Sequence, residues 1–213
     1  MGFYKIIGQE MVINSLKNSI RNDRVSHAYI FEGPEGVGKR TVASIFASVL
    51  TCEHEGVDIC GVCKSCIQNK AGNHPDVKIL HGEGSIGVDI IRNLQKDLYI
   101  RPYGANRKIY IILQADRMTP QAQNSLLKIL EEPPSYGVFI LTTINASLLL
   151  KTVLSRSVRL RFGINSNKEI EEFLRNEHPE LADDIPVIAR LSGGVIGRAK
   201  NIAVSEEFQT LRK

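Results

Sequence analysis

The order of hydrophobic and polar positions predicts strands that alternate with helices. Short runs that are almost wholly apolar are typical of strands buried inside a parallel sheet. Such runs occur at His27–Phe31, Val77–Leu80, Lys108–Gln114 and Val138–Leu141. The longest apolar stretch among them, Ile109–Leu113, is predicted to form the central strand.

A fifth strand is predicted from Ser157 to Phe162. Within it, apolar residues alternate with Arg159 and Arg161. Because successive side chains of a strand point to opposite faces, this alternation predicts one dry face and one wet face.

Between these runs, apolar residues recur at the spacing of one helix face. The pattern predicts helices around Val12–Ile20, after Lys39 as far as Leu50, and at Val88–Leu98. Another helix is predicted to begin at Thr119-Pro120, since threonine is a favoured N-cap and proline suits the first helical position. It is expected to end before Pro133.

The pattern changes to helices alone beyond Gly163. Ser166 and Glu169 have the spacing of a capping box. Further helices are predicted at Leu181–Leu191 and Ile196–Val204, separated by Gly193-Gly194. We therefore predict an α/β domain over residues 1–163, with a parallel sheet flanked by helices, and a small helical lid domain over 164–213.

Composition places the chain among ordinary globular proteins. It has 213 residues, of which 43% are hydrophobic and 23% are charged. No apolar run approaches the roughly 20 residues that span a bilayer, and no targeting segment is recognisable at the N-terminus. We therefore expect a cytoplasmic protein without membrane contact. The net charge of +4 allows a nucleic-acid partner without requiring one.

The segment Gly33–Lys39 reads Gly-Pro-Glu-Gly-Val-Gly-Lys, which is the spacing of a phosphate-binding loop. It stands between a predicted strand and a predicted helix, where the helix dipole favours anions. The alternative is a glycine-rich turn with an ordinary lysine. The residues predicted to contact nucleotide phosphates here are Gly33, Gly36, Gly38, Lys39, Arg40 and Thr41.

Arg40 departs from the phosphate-loop pattern, which ends in serine or threonine. That hydroxyl normally binds Mg²⁺, whereas a guanidinium has only donors and binds no metal. Thr41 is no simple replacement, because one step along a helix turns the side chain by about 100°. The loop predicts a fold that holds nucleotide and a site poorly equipped to hydrolyse it.

All four cysteines fall in one short segment, at Cys52, Cys60, Cys63 and Cys66. Two overlapping Cys-x-x-Cys steps suit a tetrahedral Zn²⁺, and four thiolates leave no open position, so the ion would be structural. Two disulfides are the alternative, but they need an oxidising compartment. Because residues 53–71 are poor in core residues, we expect zinc to replace a hydrophobic core in a module of about residues 52–66.

A hydrolysing P-loop enzyme also needs an acidic pair at the end of a buried strand. The strand Ile109–Leu113 continues into Gln114-Ala115-Asp116. Asp116 is the one carboxylate available, and it lies several residues past the strand.

The stretch Asn124–Pro134, Asn-Ser-Leu-Leu-Lys-Ile-Leu-Glu-Glu-Pro-Pro, resembles the N-A-L-L-K-x-L-E-E-P-P stretch of clamp-loader subunits of bacterial DNA polymerase III, members of the AAA+ family. With the phosphate loop, the four cysteines and Ser155-Arg156 in matching order, the resemblance covers nearly the whole chain. In the motor subunits of that family an Asp-Glu pair falls on Leu113 and Gln114, and a non-acidic residue falls on Asp116. Together with Arg40, these departures imply a rigid partner subunit and not a motor.

The resemblance also implies roles for single residues. Ser155-Arg156-Ser157 matches a Ser-Arg-Cys motif whose arginine reaches the γ-phosphate of ATP on a neighbouring subunit. Thr143, or Thr142, matches a polar sensor at a strand end, and Arg198 matches a second sensor in the lid. The plainer alternatives are a solvated basic edge for Arg156, a strand cap for the threonine and a surface charge for Arg198.

As partners, the resemblance implies gamma/tau and delta subunits in a hetero-pentamer, with a sliding clamp and primed DNA reached through the complex. The chain would then belong to a DNA-directed DNA polymerase, a nucleotidyltransferase, without ATPase activity of its own. Binding of ATP or ADP is expected to be weak, and whether it occurs at all stays open.

Family members carry a third, helical collar domain. Because residues 206–213 read as part of a helix, we expect an N-terminal fragment that is monomeric by itself. Two rivals remain open. One is an active motor of the gamma/tau type or another P-loop ATPase, and the other is a zinc-bearing DNA-binding module with a decayed nucleotide fold.

Overall fold

The computed structural model of the chain describes residues 2–82 and 84–205. A five-stranded parallel sheet lies at its centre in the order β2-β3-β4-β1-β5. The strands are β1 (Ala28–Glu32), β2 (Val77–Leu80), β3 (Lys108–Ile112), β4 (Gly137–Thr143) and β5 (Val158–Arg161). The helices are α1 (Glu10–Arg21), α2 (Lys39–Leu50), α3 (Lys64–Ala71), α4 (Val88–Leu98), α5 (Pro120–Glu131), α6 (Lys151–Leu154), α7 (Asn167–Glu177), α8 (Ile185–Ser192) and α9 (Ile196–Val204).

Helices cover both faces of the sheet. Tyr110 and Phe139 point to one face, where they stack at 5.4 Å and pack with α4, α5 and α6. Ile111 and Ile140, which are paired across β3 and β4, point to the other face and pack with α1 and α2. Every residue of β3 and β4 is buried, as the apolar runs predicted.

Two expectations about strands were wrong. The middle position belongs to β4, and the predicted central strand Ile109–Leu113 forms β3 beside it. On β5 the dry face is incomplete, because Val158 is 41% exposed. Since β5 pairs with β1 alone and forms one edge of the sheet, neighbouring elements cover it less than they cover the interior strands.

The lid helices α7, α8 and α9 share a small core of their own, centred on Ile170, Leu174 and Ile188. The capping box opens α7: Ser166 N–H donates to Glu169 Oε2 at 2.6 Å, and Ser166 Oγ accepts from Glu169 N–H at 3.3 Å. The helix predicted over residues 206–213 lies outside the described residues. Within the described ranges, no helix is both long and apolar enough to cross a bilayer.

Candidate functional site: a cleft at one sheet edge and an arginine at the other

A cleft of about 980 Å³ opens where the carboxyl ends of β3 and β4 meet the phosphate loop and the lid. The predicted nucleotide-contacting residues that line it are Gly36, Gly38, Lys39, Arg40, Thr41, Thr143 and Arg198. Residues far apart in sequence therefore converge on one cavity.

The glycines of the loop adopt backbone conformations that other residues rarely take. Gly36 has φ 82° and Gly38 has φ 98°, both in the left-handed region. Helix α2 begins directly after Gly38. The loop thus ends at a helix N-terminus, which is the arrangement that favours anions.

The side chain of Lys39 is held by backbone carbonyls of the loop. Its Nζ donates to the Gly33 carbonyl at 2.5 Å and to the Pro34 carbonyl at 2.7 Å. Burial lowers the pKa of Lys39, while the charges of Glu35 and Asp116 oppose that shift. Gly33 contributes through this carbonyl, whereas the other loop residues predicted to contact nucleotide line the cavity directly.

Asp116 supports the end of β4. Its Oδ1 accepts hydrogen bonds from Thr143 Oγ1 at 2.7 Å and from Ile144 N–H at 3.2 Å. The Thr143 hydroxyl also has the Asn145 carbonyl as an acceptor at 3.1 Å, so its single proton has partners within the chain. Sequence reasoning did not foresee the bond from Thr143 to Asp116, because its partners stand 27 positions apart.

Leu113 and Gln114, to which the resemblance assigns the positions of the motor subunits' acidic pair, both line the cleft. Gln114 has φ 52°, and its N–H donates to Thr142 Oγ1 at 3.1 Å. Among the described residues that line the cleft, Glu35 is the one carboxylate, and it is an exposed residue of the loop itself. An acidic pair suited to Mg²⁺ is thus absent from this described lining.

The lid touches the loop through backbone atoms. Gly197 N–H donates to the Gly36 carbonyl at 2.9 Å, and a Cβ at Gly197 would lie 3.0 Å from the Gly36 Cα. This contact brings Arg198 to the cleft. The lid arginine was predicted, but the glycine pair beside it was missed, since no side chain signals it.

Arg156 lies at the end of the sheet where the strands begin, opposite the cleft. It comes just before β5, and all the strands run parallel, so the starts of the strands lie away from the cleft. Its guanidinium contacts Glu131 Oε1 at 3.0 Å and the Thr152 carbonyl at 3.2 Å. Arg156 is only partly exposed, with 35% of its side chain accessible, and it does not line the cleft of its own chain.

The other two arginines of this region are bound differently. Arg159 and Arg161 both pair with Glu32, at the end of β1. Burial works against ionisation of Glu32, yet the hydrogen bond from Ala146 N–H and the two arginines lower its pKa. The basic edge is therefore not uniform, and Arg156 stands apart from this cluster.

The four cysteines form one cluster. Their Sγ atoms lie within 4.8 Å of one another, with separations of 3.7, 3.8 and 3.9 Å for three of the pairs. A tetrahedral ion with Zn–S bonds of about 2.3 Å requires sulfurs about 3.8 Å apart. A disulfide requires about 2.05 Å, and all four thiols are free. The geometry fits zinc.

Backbone donors favour the thiolate form in this cluster. Cys60 accepts hydrogen bonds from the N–H groups of Val62 and Cys63, which lower its pKa to about 6. Cys66 is less exposed, and burial raises its pKa to about 12. A divalent cation would stabilise both thiolates, because metal ligation requires deprotonated sulfur.

The sheet order, the phosphate loop after β1 and the lid across the cleft define a P-loop fold of the AAA+ type. Residues 8–165 match the model of the family described as DNA polymerase III, delta subunit. The chain belongs to that family.

Named relatives agree with this family. DNA polymerase III subunit delta' of Bacillus subtilis is 36% identical over 208 residues, covering 96% of this chain and 62% of that protein. Subunit tau of the same organism is 37% identical over 161 residues, covering 75% of this chain and 29% of its own length. The chain thus spans less than two thirds of these relatives. A RuvB Holliday junction branch migration motor of Thermotoga maritima shares the fold, with 18% identity and a TM-score of 0.64 over 92% of this chain and 61% of that one.

Proposed function

We propose that the chain is the nucleotide-fold part of a delta-prime-type clamp-loader subunit, which lends Arg156 to the ATP site of a neighbouring subunit. The observation that carries the proposal is the separation of the two sites. The chain's own cleft keeps the loop but holds Gln114 where a motor needs a carboxylate, while the partly exposed Arg156 lies at the opposite end of the strands. An arginine in that position can act only on a second molecule.

The chemistry assigned to Arg156 is electrostatic. A guanidinium stabilises negative charge that develops on the oxygens of the transferred phosphoryl group. Arginines supplied by a second protein accelerate such reactions by about 10³- to 10⁵-fold. That range corresponds to about 4–7 kcal/mol of transition-state stabilisation.

The partners of this function are gamma/tau-type and delta subunits. Through the assembled complex the chain would help to place a sliding clamp on primed DNA in the cytoplasm. The proposal extends to parts of the relatives that this chain does not span, since it covers 62% of the delta' relative.

Two ligands belong to the proposal. Cys52, Cys60, Cys63 and Cys66 would hold a structural Zn²⁺, which orders a module that has few core residues. The cleft would hold ATP or ADP weakly, with Lys39, Arg40 and Arg198 as the cations that line it.

The function is tested by Arg156→Ala in the reconstituted loader. We expect assembly to be unchanged by gel filtration and ATP hydrolysis by the complex to fall at least tenfold. Arg161→Ala is the matched control, since Arg161 is an exposed arginine of the same region that pairs with Glu32. Undiminished hydrolysis with Arg156→Ala would refute the proposal.

A motor of the gamma/tau type is the second candidate, because the 37% identity to the tau relative is close to the 36% identity to delta'. It predicts Mg²⁺-dependent ATP turnover by the isolated chain, whereas our proposal predicts none above background. A zinc-bearing DNA-binding module would instead bind DNA tightly, with affinity that falls steeply as salt rises.

A further inference from the structure

Helix α5 ends in two neighbouring glutamates, and Glu131 contacts the proposed arginine finger. Glu131 Oε1 lies 3.0 Å from Nη2 of Arg156. The other terminal nitrogen, Nη1, donates to the Thr152 carbonyl at 3.2 Å and contacts Ser155 Oγ at 3.4 Å. Both terminal nitrogens of the guanidinium are therefore engaged by atoms of its own chain.

We propose that Glu131 holds Arg156 folded back on its own subunit, and that Arg156 exchanges this carboxylate for a phosphate when the neighbouring subunit docks. The inference rests on the proposed function. Glu131 and the γ-phosphate are both anions that bind the terminal nitrogens of a guanidinium, so they compete for the same donors. Glu131 is thus a positioning residue that delays engagement of the finger.

The exposure of the pair decides whether such a contact can be released. Arg156 is 35% exposed and Glu131 is 51% exposed. Solvent-exposed ion pairs are weak, and their loss changes an equilibrium by about 1.5- to fivefold. A polyphosphate carries more charge than one carboxylate, so it can displace Glu131 from the guanidinium.

The neighbouring Glu132 supplies a matched control. It follows Glu131 directly, it is also exposed, and it carries the same charge. Replacing either glutamate by glutamine removes one negative charge from the same helix end. An effect confined to Glu131 therefore reports its contact with Arg156 and not the general electrostatic potential.

The test titrates this subunit against a fixed amount of gamma/tau-type and delta subunits while ATP hydrolysis is measured. We expect Glu131→Gln to reach half-maximal activation at a two- to fivefold lower concentration than wild type, and Glu132→Gln to match wild type. The difference should shrink in 0.5 M salt, since exposed pairs are screened. A half-maximal concentration equal to or above that of Glu132→Gln would overturn the inference.

A double variant separates this inference from the function beneath it. With Arg156→Ala in place, Glu131→Gln should have no effect, because the two residues act as one pair. If Glu131→Gln still changes activation in that background, the holding role is refuted while the finger stands. If Arg156→Ala itself leaves hydrolysis unchanged, the proposed function fails first.

Discussion

At the scale of single residues, the character of the site depends on what replaces two metal-binding groups. Arg40 stands where the loop pattern has a hydroxyl, and Gln114 stands where the resemblance to the motor subunits implies a carboxylate. Both still line the cleft. The cavity therefore keeps its shape and its cations but lacks the oxygen ligands that Mg²⁺ prefers.

Nucleotide binding should accordingly be independent of magnesium. We expect the chain to bind ATP equally well in Mg²⁺ and in EDTA. Arg40→Ala should weaken ATP binding about tenfold. A hydrogen bond from a charged donor contributes about 1.5–3 kcal/mol, and the low end of that range applies because Arg40 is exposed. Lys151→Ala, which removes a surface cation outside the cleft lining, is the control. Calorimetric titration measures both, and affinity that requires Mg²⁺ would contradict the assignment of Arg40.

The sequence predicted which residues meet at the cleft, but it did not predict how they are paired. The loop motif and strand ends located Lys39, Thr143 and Arg198, because such patterns are local. The bond from Thr143 to Asp116 and the contact of Arg156 with Glu131 join residues 27 and 25 positions apart. Such pairs depend on tertiary packing, and a single sequence does not show which distant residues come into contact.

At the scale of elements, periodicity located every strand and most helices, while two short helices were missed. Helix α3 buries only Ser65 and Cys66, so it has almost no apolar stripe to detect. Helix α6 has four residues, too few to show a period. Both owe their position to contacts made elsewhere, with the cysteine cluster in one case and with α5 in the other.

A buried lysine ties α4 to the sheet. Lys108 Nζ lies 3.2 Å from Asp97 Oδ2 and donates to the Asp97 carbonyl at 2.8 Å, while Tyr110 donates to the same carboxylate at 2.6 Å. Lys108 has only 5% of its side chain exposed. Asp97→Asn should cost about 2–4 kcal/mol of unfolding free energy, because it leaves that ammonium without its counter-charge.

Urea denaturation at pH 7 measures this loss, with Asp89→Asn of the same helix as control. Asp89 pairs with Arg92 in an exposed contact, so its change should stay within about 0.5 kcal/mol. Burial opposes ionisation of Asp97, but hydrogen bonds from Lys78, Tyr110 and Lys108 lower its pKa below the ordinary 3.8. Its contribution should therefore be complete above that value and disappear as the pH falls further. Equal losses in the two variants would exclude this role.

Metal removal should affect the cysteine module first. One zinc per chain is expected, and Cys63→Ser should abolish it, because a tetrahedral site loses a ligand. The N-terminal turn should loosen as well, since Phe3 N–H donates to Asp58 of the module at 3.1 Å. Metal analysis and amide exchange near Phe3 measure the two effects. The main sheet should stay folded, and a chain that contains no zinc after purification in zinc-supplemented buffer would contradict the assignment.

At the scale of the whole molecule, the parallel sheet separates two surfaces by strand direction. The carboxyl ends of β3 and β4 face the cleft, and Arg156 lies just before the start of β5. A chain with this arrangement can engage a ligand at the carboxyl ends of its strands and a second protein at the end where the strands begin. Because the buried sheet holds these two surfaces apart, Arg156 cannot act on a ligand in the cleft of its own chain.

The position of the lid relative to this sheet depends on the contact between Gly36 and Gly197. At Gly197, alanine would place a Cβ 3.0 Å from the Cα and 3.1 Å from the carbonyl oxygen of Gly36, and backbone atoms cannot yield as a side chain does. Overpacking typically costs about 1–3 kcal/mol, whereas replacing glycine in a helix gains at most about 1 kcal/mol. The clash should therefore win, and Gly197→Ala should separate α9 from the loop.

We expect amide 197 to lose its protection from hydrogen exchange and ATP affinity to fall, because Arg198 moves with the helix. Gly104→Ala, where an added Cβ meets open space, should change neither. Unaltered exchange at amide 197 would mean that the loop, and not the lid, gives way.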